Sequence, residues 1–113
     1  GSWFAAEMLP SGEWVLAGLR GNAWRSADGG ASWAALAVPV PASITGMAVA
    51  GPGRLLFVNQ AGHVLHRDGE RLTALNRRAL PPLAGVTALA DGRLLAYGQA
   101  GVGRLDGPGG AAR

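Results

Sequence analysis

Ten-residue segments of one pattern recur three times in this chain, and no other feature limits its fold as much. They are Gly12-Glu-Trp-Val-Leu-Ala-Gly-Leu-Arg-Gly21, Gly53-Arg-Leu-Leu-Phe-Val-Asn-Gln-Ala-Gly62 and Gly92-Arg-Leu-Leu-Ala-Tyr-Gly-Gln-Ala-Gly101. Their first glycines stand 41 and then 39 residues apart. Each segment is a glycine, a polar residue, an apolar run, a turn and a second glycine. A period of this size belongs to stacked or radial repeats, whose units bury their apolar faces against one another. Helical repeats are disfavoured. No apolar stripe of helical period persists, and 19 glycines in 113 residues weaken any helix interior.

Four short strands fill a repeat of this length, which predicts the blades of a β-propeller. In the first repeat, strands are expected near residues 4–9, 13–19, 22–26 and 33–38, running from an inner to an outer position. The second repeat offers 44–50, 54–59, 63–67 and 71–75, and the third offers 85–90, 93–98 and 102–105. The middle strand is apolar on both faces, as in Leu55-Leu-Phe-Val58. A sheet with one wet face would alternate, whereas a blade between two neighbours buries both faces. Pro39, Pro41, Pro81 and Pro82 fall between repeats, where the missing N–H costs no ladder bond. Residues 71–80 would also suit a short helix through Leu72, Leu75, Ala79 and Leu80; the register of the repeat favours a strand.

Between the third and fourth expected strands of the first repeat lies Ser26-Ala-Asp-Gly-Gly-Ala-Ser-Trp33. The Asp28 carboxylate is placed to accept hydrogen bonds from the backbone N–H groups after it. Gly29 and Gly30 can take the positive φ that such a turn needs. Ser26 and Ser32 can brace the two arms, and Trp33 is expected to bury its indole beneath the turn. The second repeat keeps a reduced form, Arg67-Asp-Gly-Glu70, and the third keeps Asp106-Gly107.

The order Ser-x-Asp-x-Gly-x-Ser/Thr-Trp resembles the Asp-box, or BNR, pattern of propeller blades at every position. The longer run Val15-Leu-Ala-Gly-Leu-Arg-Gly-Asn-Ala-Trp-Arg-Ser-Ala-Asp-Gly-Gly-Ala-Ser-Trp33 is similar to a blade of the photosystem II stability/assembly factor-like family. That resemblance implies a propeller of about seven blades, a braced hairpin away from any active site, and a protein-binding role. It favours a periplasmic or secreted location for the parent protein. The arginine-rich docking surface of the phototroph members has no matching motif in this sequence.

Composition narrows the function further. All ten basic side chains are Arg, but the net charge is only +3, and they are not interleaved with aromatics on one stretch. Nucleic acid is therefore not an expected partner. The chain has no cysteine, which excludes disulfides and thiol chemistry, and no apolar run long enough for a membrane span. His63 and His66 are three apart, so on one strand they point to opposite faces and read as two surface imidazoles. No metal and no cofactor is expected. The enzyme alternative is part of a sialidase-like, glycan-active or glycan-binding BNR propeller. A sialidase needs an arginine cluster, a tyrosine nucleophile and paired carboxylates. Tyr97, the only tyrosine, lies mid-strand and is expected in the core, and the arginines are scattered. Trp3, Trp14 and Trp24 are expected to pack between blades. Arg67, Arg71, Arg77 and Arg78 form the one basic concentration: a partner site on the sharper reading, a solvated blade edge on the plainer one.

The expected organisation is all-β, with about 2.75 four-stranded blades forming a fragment of a larger propeller. Residues 1–2 read as a cloning scar, 3–43 as a blade with an intact box, and 44–83 as a blade with a degenerate one. Residues 84–106 form an incomplete blade and 107–113 a disordered tail. The expected function is non-catalytic, a protein-binding or assembly scaffold. Such an arc exposes an apolar face at each end and an unpaired strand edge, so self-association into a homo-oligomer is expected.

Overall fold

Apolar runs bounded by glycine turns become strands throughout the computed structural model, which describes residues 3–50, 54–89 and 93–105. The first sheet holds β1 (Trp3–Met8), β2 (Trp14–Gly18), β3 (Ala23–Ser26) and β4 (Ala34–Ala35). The second holds β5 (Ile44–Val49), β6 (Leu55–Asn59), β7 (Val64–Asp68) and β8 (Arg71–Ala74). The third holds β9 (Leu83–Ala88), β10 (Leu94–Gly98) and β11 (Gly101–Leu105). Each sheet is an antiparallel meander whose spatial order follows the chain, with β9 and β11 flanking β10 in the third. The fold is all-β, in three sheets of four, four and three strands. Arg71–Ala74 thus contribute a strand, one residue shorter than expected, and the helical alternative for this stretch fails there.

The sheets stack face to face about their first strands: β5 packs against β1 on one side and β9 on the other. Two apolar layers result. Between the first and second sheets lie Val15, Ala17 and Ala23 against Leu55, Phe57 and Leu65, with Leu9, Leu36 and Ile44 closing the ends. Between the second and third lie Leu56, Val58 and Val64 against Leu83, Leu94 and Ala96. Every residue of β6 is buried, as its apolar character on both faces predicts.

The link between the second and third strands differs in length among the sheets but carries a glycine at the same place in each repeat. Gly21, Gly62 and Gly101 all have positive φ, at 78°, 83° and 114°. At Gly21 a Cβ would stand 2.8 Å from the Val40 carbonyl oxygen, and at Gly62 it would overlap the Leu80 backbone. Both contacts fall where the chain crosses to the next sheet. The glycines therefore serve twice, permitting the turn and admitting the crossing. Gln60 and Gln99 donate their backbone N–H groups to Ser43 (3.0 Å) and Pro82 (3.3 Å), so each crossing is also tied to the turn of the sheet it enters.

Several expectations need correction. The fourth strand of the first repeat, expected over 33–38, covers only Ala34–Ala35. Leu36 turns into the core while its N–H reaches Ala23 (2.9 Å). Ala37 then leaves the sheet to pair in parallel with Arg71 of β8, through bonds of 2.9 Å to Glu70 and 2.7 Å from Leu72. Trp33 is 37% exposed: its indole lies against Gly30 of the turn but is not buried there. Tyr97 is 46% exposed, and Trp14 is exposed as well. Both lie on the outer faces of the terminal sheets, where no further sheet among the described residues covers them. Residues 1–2, the glycines Gly53 and Gly92, the Asp106-Gly107 turn and the tail 107–113 lie outside the described residues.

Candidate functional site

The turn after β3 is held by side chains more than by a backbone ladder. Ser26, almost wholly buried, donates its hydroxyl to Asp28 Oδ1 (2.7 Å) and accepts the Gly30 N–H (2.9 Å). Asp28 Oδ1 also accepts the Ser32 N–H at 2.9 Å, and the Ser32 hydroxyl donates to Oδ2. Gly29 and Gly30 have φ of 73° and 94°. The hydroxyl and N–H of Ser32, with the Ser26 hydroxyl, hold the Asp28 carboxyl down to about 2. Both carboxylate oxygens are occupied within the turn, so Asp28 offers little to a metal ion. Among the described residues no group of three His, Asp or Glu side chains could hold one.

Sequence reading missed an ion cluster that joins the first sheet to the second. Glu13, just before β2, sits between two guanidinium groups. It accepts from Arg67 Nη2 at 3.0 Å and Arg25 Nη1 at 3.2 Å, and Arg67 Nη1 reaches its other oxygen. Arg25 continues to Glu70 at 2.6 Å, and Arg67 Nε donates to the Gly69 carbonyl at 2.9 Å. The hydrogen bond from Arg67 is the main reason the Glu13 carboxyl lies below its ordinary range, working against the opposite effect of burial. Glu13 and Arg67 are 54 residues apart, and only the stacking of the two sheets brings them together.

The expected basic patch is thereby reduced. Arg67 is largely buried and committed to Glu13, so it does not share a solvent-facing surface with the others. Arg71 remains exposed, 3.9 Å from Asp68, and Arg77 and Arg78 are exposed in the connection to β9. Asn76 anchors that connection. Its Oδ1 accepts the Val64 N–H, and its Nδ2 donates to the Gly62 and Arg78 carbonyls, each at 2.8 Å. Sequence reading assigned Asn76 no role, since nothing local to it shows what its side chain meets. His63 and His66 are half-buried instead of lying free at the surface. His66 is held in β7 between Leu56 and Thr73, and the His63 N–H donates to the Asn59 side chain at 2.8 Å.

No family model matches this chain, and no curated protein matches it. A solved structure does: YCF48 bound to D1 peptide superposes with a TM-score of 0.65 at 17% sequence identity. The match covers 99% of this chain and 44% of that one. The fold is that of a β-propeller segment. The chain thus spans less than half the length of that solved chain, and its three sheets are successive propeller blades. No helix among the described residues is long and apolar enough to cross a membrane.

Proposed function

We propose that this chain is a non-catalytic propeller segment that binds a protein partner, an assembly scaffold of the photosystem II assembly factor-like kind. The observation that carries this reading is its fold likeness, over nearly all its length, to a structure solved with a bound peptide. On this reading, residues 3–43, 44–83 and 84–106 are the successive blades, and the Ser26–Trp33 turn is an Asp-box that braces the first. The Asp28 carboxylate then serves structure alone, since its oxygens are taken up by Ser26 and Ser32. The docking surface is the exposed cationic edge of Arg71, Arg77 and Arg78, which suits a peptide carrying carboxylates. The chain also associates with itself through its uncovered blades.

Fluorescence polarisation with labelled peptides tests the binding reading, using the D1 peptide and a set of short acidic peptides as probes. Saturable binding that weakens about tenfold in an Arg77→Glu/Arg78→Glu variant is expected. Indifference to that variant, or no binding by any probe, would overturn it. An aryl sialoside should not be turned over. Turnover that vanishes in Tyr97→Phe would restore the glycan-active alternative.

A further inference from the structure

The two uncovered blade faces are the two halves of a junction that the chain already builds twice. Register makes the equivalence explicit. Val15 and Ala17 of β2, with Ala23 of β3, face forward from the first blade onto the second. The corresponding forward residues of the second blade are Leu56, Val58 and Val64, and they pack on the third. The same positions in the third blade are Leu95, Tyr97 and Val102. Val102 is 72% exposed there, with no described residue packed in front of it.

The backward face behaves in the same way. Leu55, Phe57 and Leu65 of the second blade receive the first, and Leu94 and Ala96 of the third receive the second. In the first blade these positions are Trp14, Leu16 and Trp24, with Met8 paired beside Trp14. Met8, Trp14 and Leu16 line an open groove with Ala6 and Glu7, and Met8 is 62% exposed. Forward meets backward at both internal junctions. The surface that fits the forward face of the third blade is thus the backward face of a first blade, which a second copy of this chain supplies.

We infer that two copies associate head to tail, with Leu95, Tyr97 and Val102 of each packed against Met8, Trp14, Leu16 and Trp24 of the other. This rests on the self-association reading above and adds its geometry. A heterologous contact forms a ring when its rotation closes. Two copies supply six blades, within the about four to eight at which propellers close. The three blades superpose on 44% of a longer propeller, so the arc of one copy spans close to half a ring. Tyr97, Trp14 and Trp24 bring aromatic anchors to the junction, as stable interfaces favour.

Light scattering and sedimentation on the 113-residue chain test this. The expected mass is twice 11.4 kDa, held on dilution through the micromolar range. Met8→Asp breaks the backward face and Val102→Asp the forward face. Each alone weakens association about tenfold or more, since it buries a charge against an apolar surface. An equimolar mixture of the two recovers part of the lost association, because one intact junction can form between unlike copies. Both substitutions are at highly exposed positions, and a cooperative melt of each variant checks that it folds. As the chain has no cysteine, an independent measurement uses Ala6→Cys and Val102→Cys with a short bis-maleimide. Cross-linked dimers should come from the mixture and not from either variant alone. A wild-type monomer would overturn self-association altogether. A dimer that survives either substitution, or that cross-links within one variant, would overturn the head-to-tail geometry and leave self-association standing. Neither result bears on peptide binding, which is measured separately.

Discussion

At Asp28 a single carboxylate does what backbone pairing does elsewhere in the chain. Four of the turn's polar groups converge on it or on Ser26, so the loop from Ser26 to Ser32 closes without a ladder. Asp28→Ala strips these acceptors and should lower the melting midpoint by several degrees. Asp28→Asn keeps one acceptor and should lie between the two. The pH dependence follows from the depressed carboxyl, which titrates at about 2 against an ordinary 3.8. Because the folded value is the lower one, the contribution is complete above pH 3.8 and fades as pH falls towards 2. Thermal melts across that window should show a steeper loss for the wild type than for Asp28→Ala. Equal slopes would mean that the carboxylate does not hold the turn.

At the scale of elements, the first and second blades are joined by more than apolar packing. Glu13 and Arg67 bridge them, and Ala37 leaves its own sheet to pair with β8. The short β4 and this parallel bridge have one cause: Leu36 must turn inward to fill the layer between the blades, and that turn carries Ala37 across. Glu13→Gln keeps the shape and removes the charge, leaving the largely buried Arg67 guanidinium without its counter-ion. The expected cost is ~1–3 kcal/mol in urea unfolding, the range for stranding a buried polar group. The Glu13 carboxyl lies low in the folded state, so its contribution is present above the ordinary carboxylate range and lost as pH falls through its lowered value. A double-mutant cycle with Arg67→Met should recover most of the loss if the stranded charge is its source. Additive effects would assign the loss elsewhere.

Across the whole molecule, stability should depend on concentration. A chain that covers its terminal faces by association is stabilised by mass action, so its melting midpoint rises with protein concentration. Calorimetry over a hundredfold concentration range should find that rise in the wild type and a flat response in Val102→Asp. A wild-type midpoint independent of concentration would mean the terminal faces tolerate exposure. The same uncovered faces explain why Tyr97 and Trp14 are exposed while their counterparts Val58 and Leu55 are fully buried. The register positions are equivalent; only the neighbour differs.

The sequence alone determined what is local or periodic. The repeat spacing implied sheets of four short strands, and the two-faced apolar character of Leu55 to Val58 implied a blade buried on both sides, because these follow from turn chemistry and strand periodicity. The glycines of the Asp28 turn were legible for the same reason, since positive φ is a demand that a single residue meets or fails. What only the tertiary structure decided was which side chains meet across sheets and which faces lack a neighbour. Arg67 read as part of an open basic patch, yet it is spent on Glu13, 54 residues away. Trp33 read as buried, yet its indole rests against Gly30 and stays partly open. Asn76 lay in a stretch that also suited a short helix, yet its side chain ties that segment to Gly62 and Val64. These outcomes depend on where a neighbouring blade stands, and strand periodicity specifies a face without specifying what lies against it.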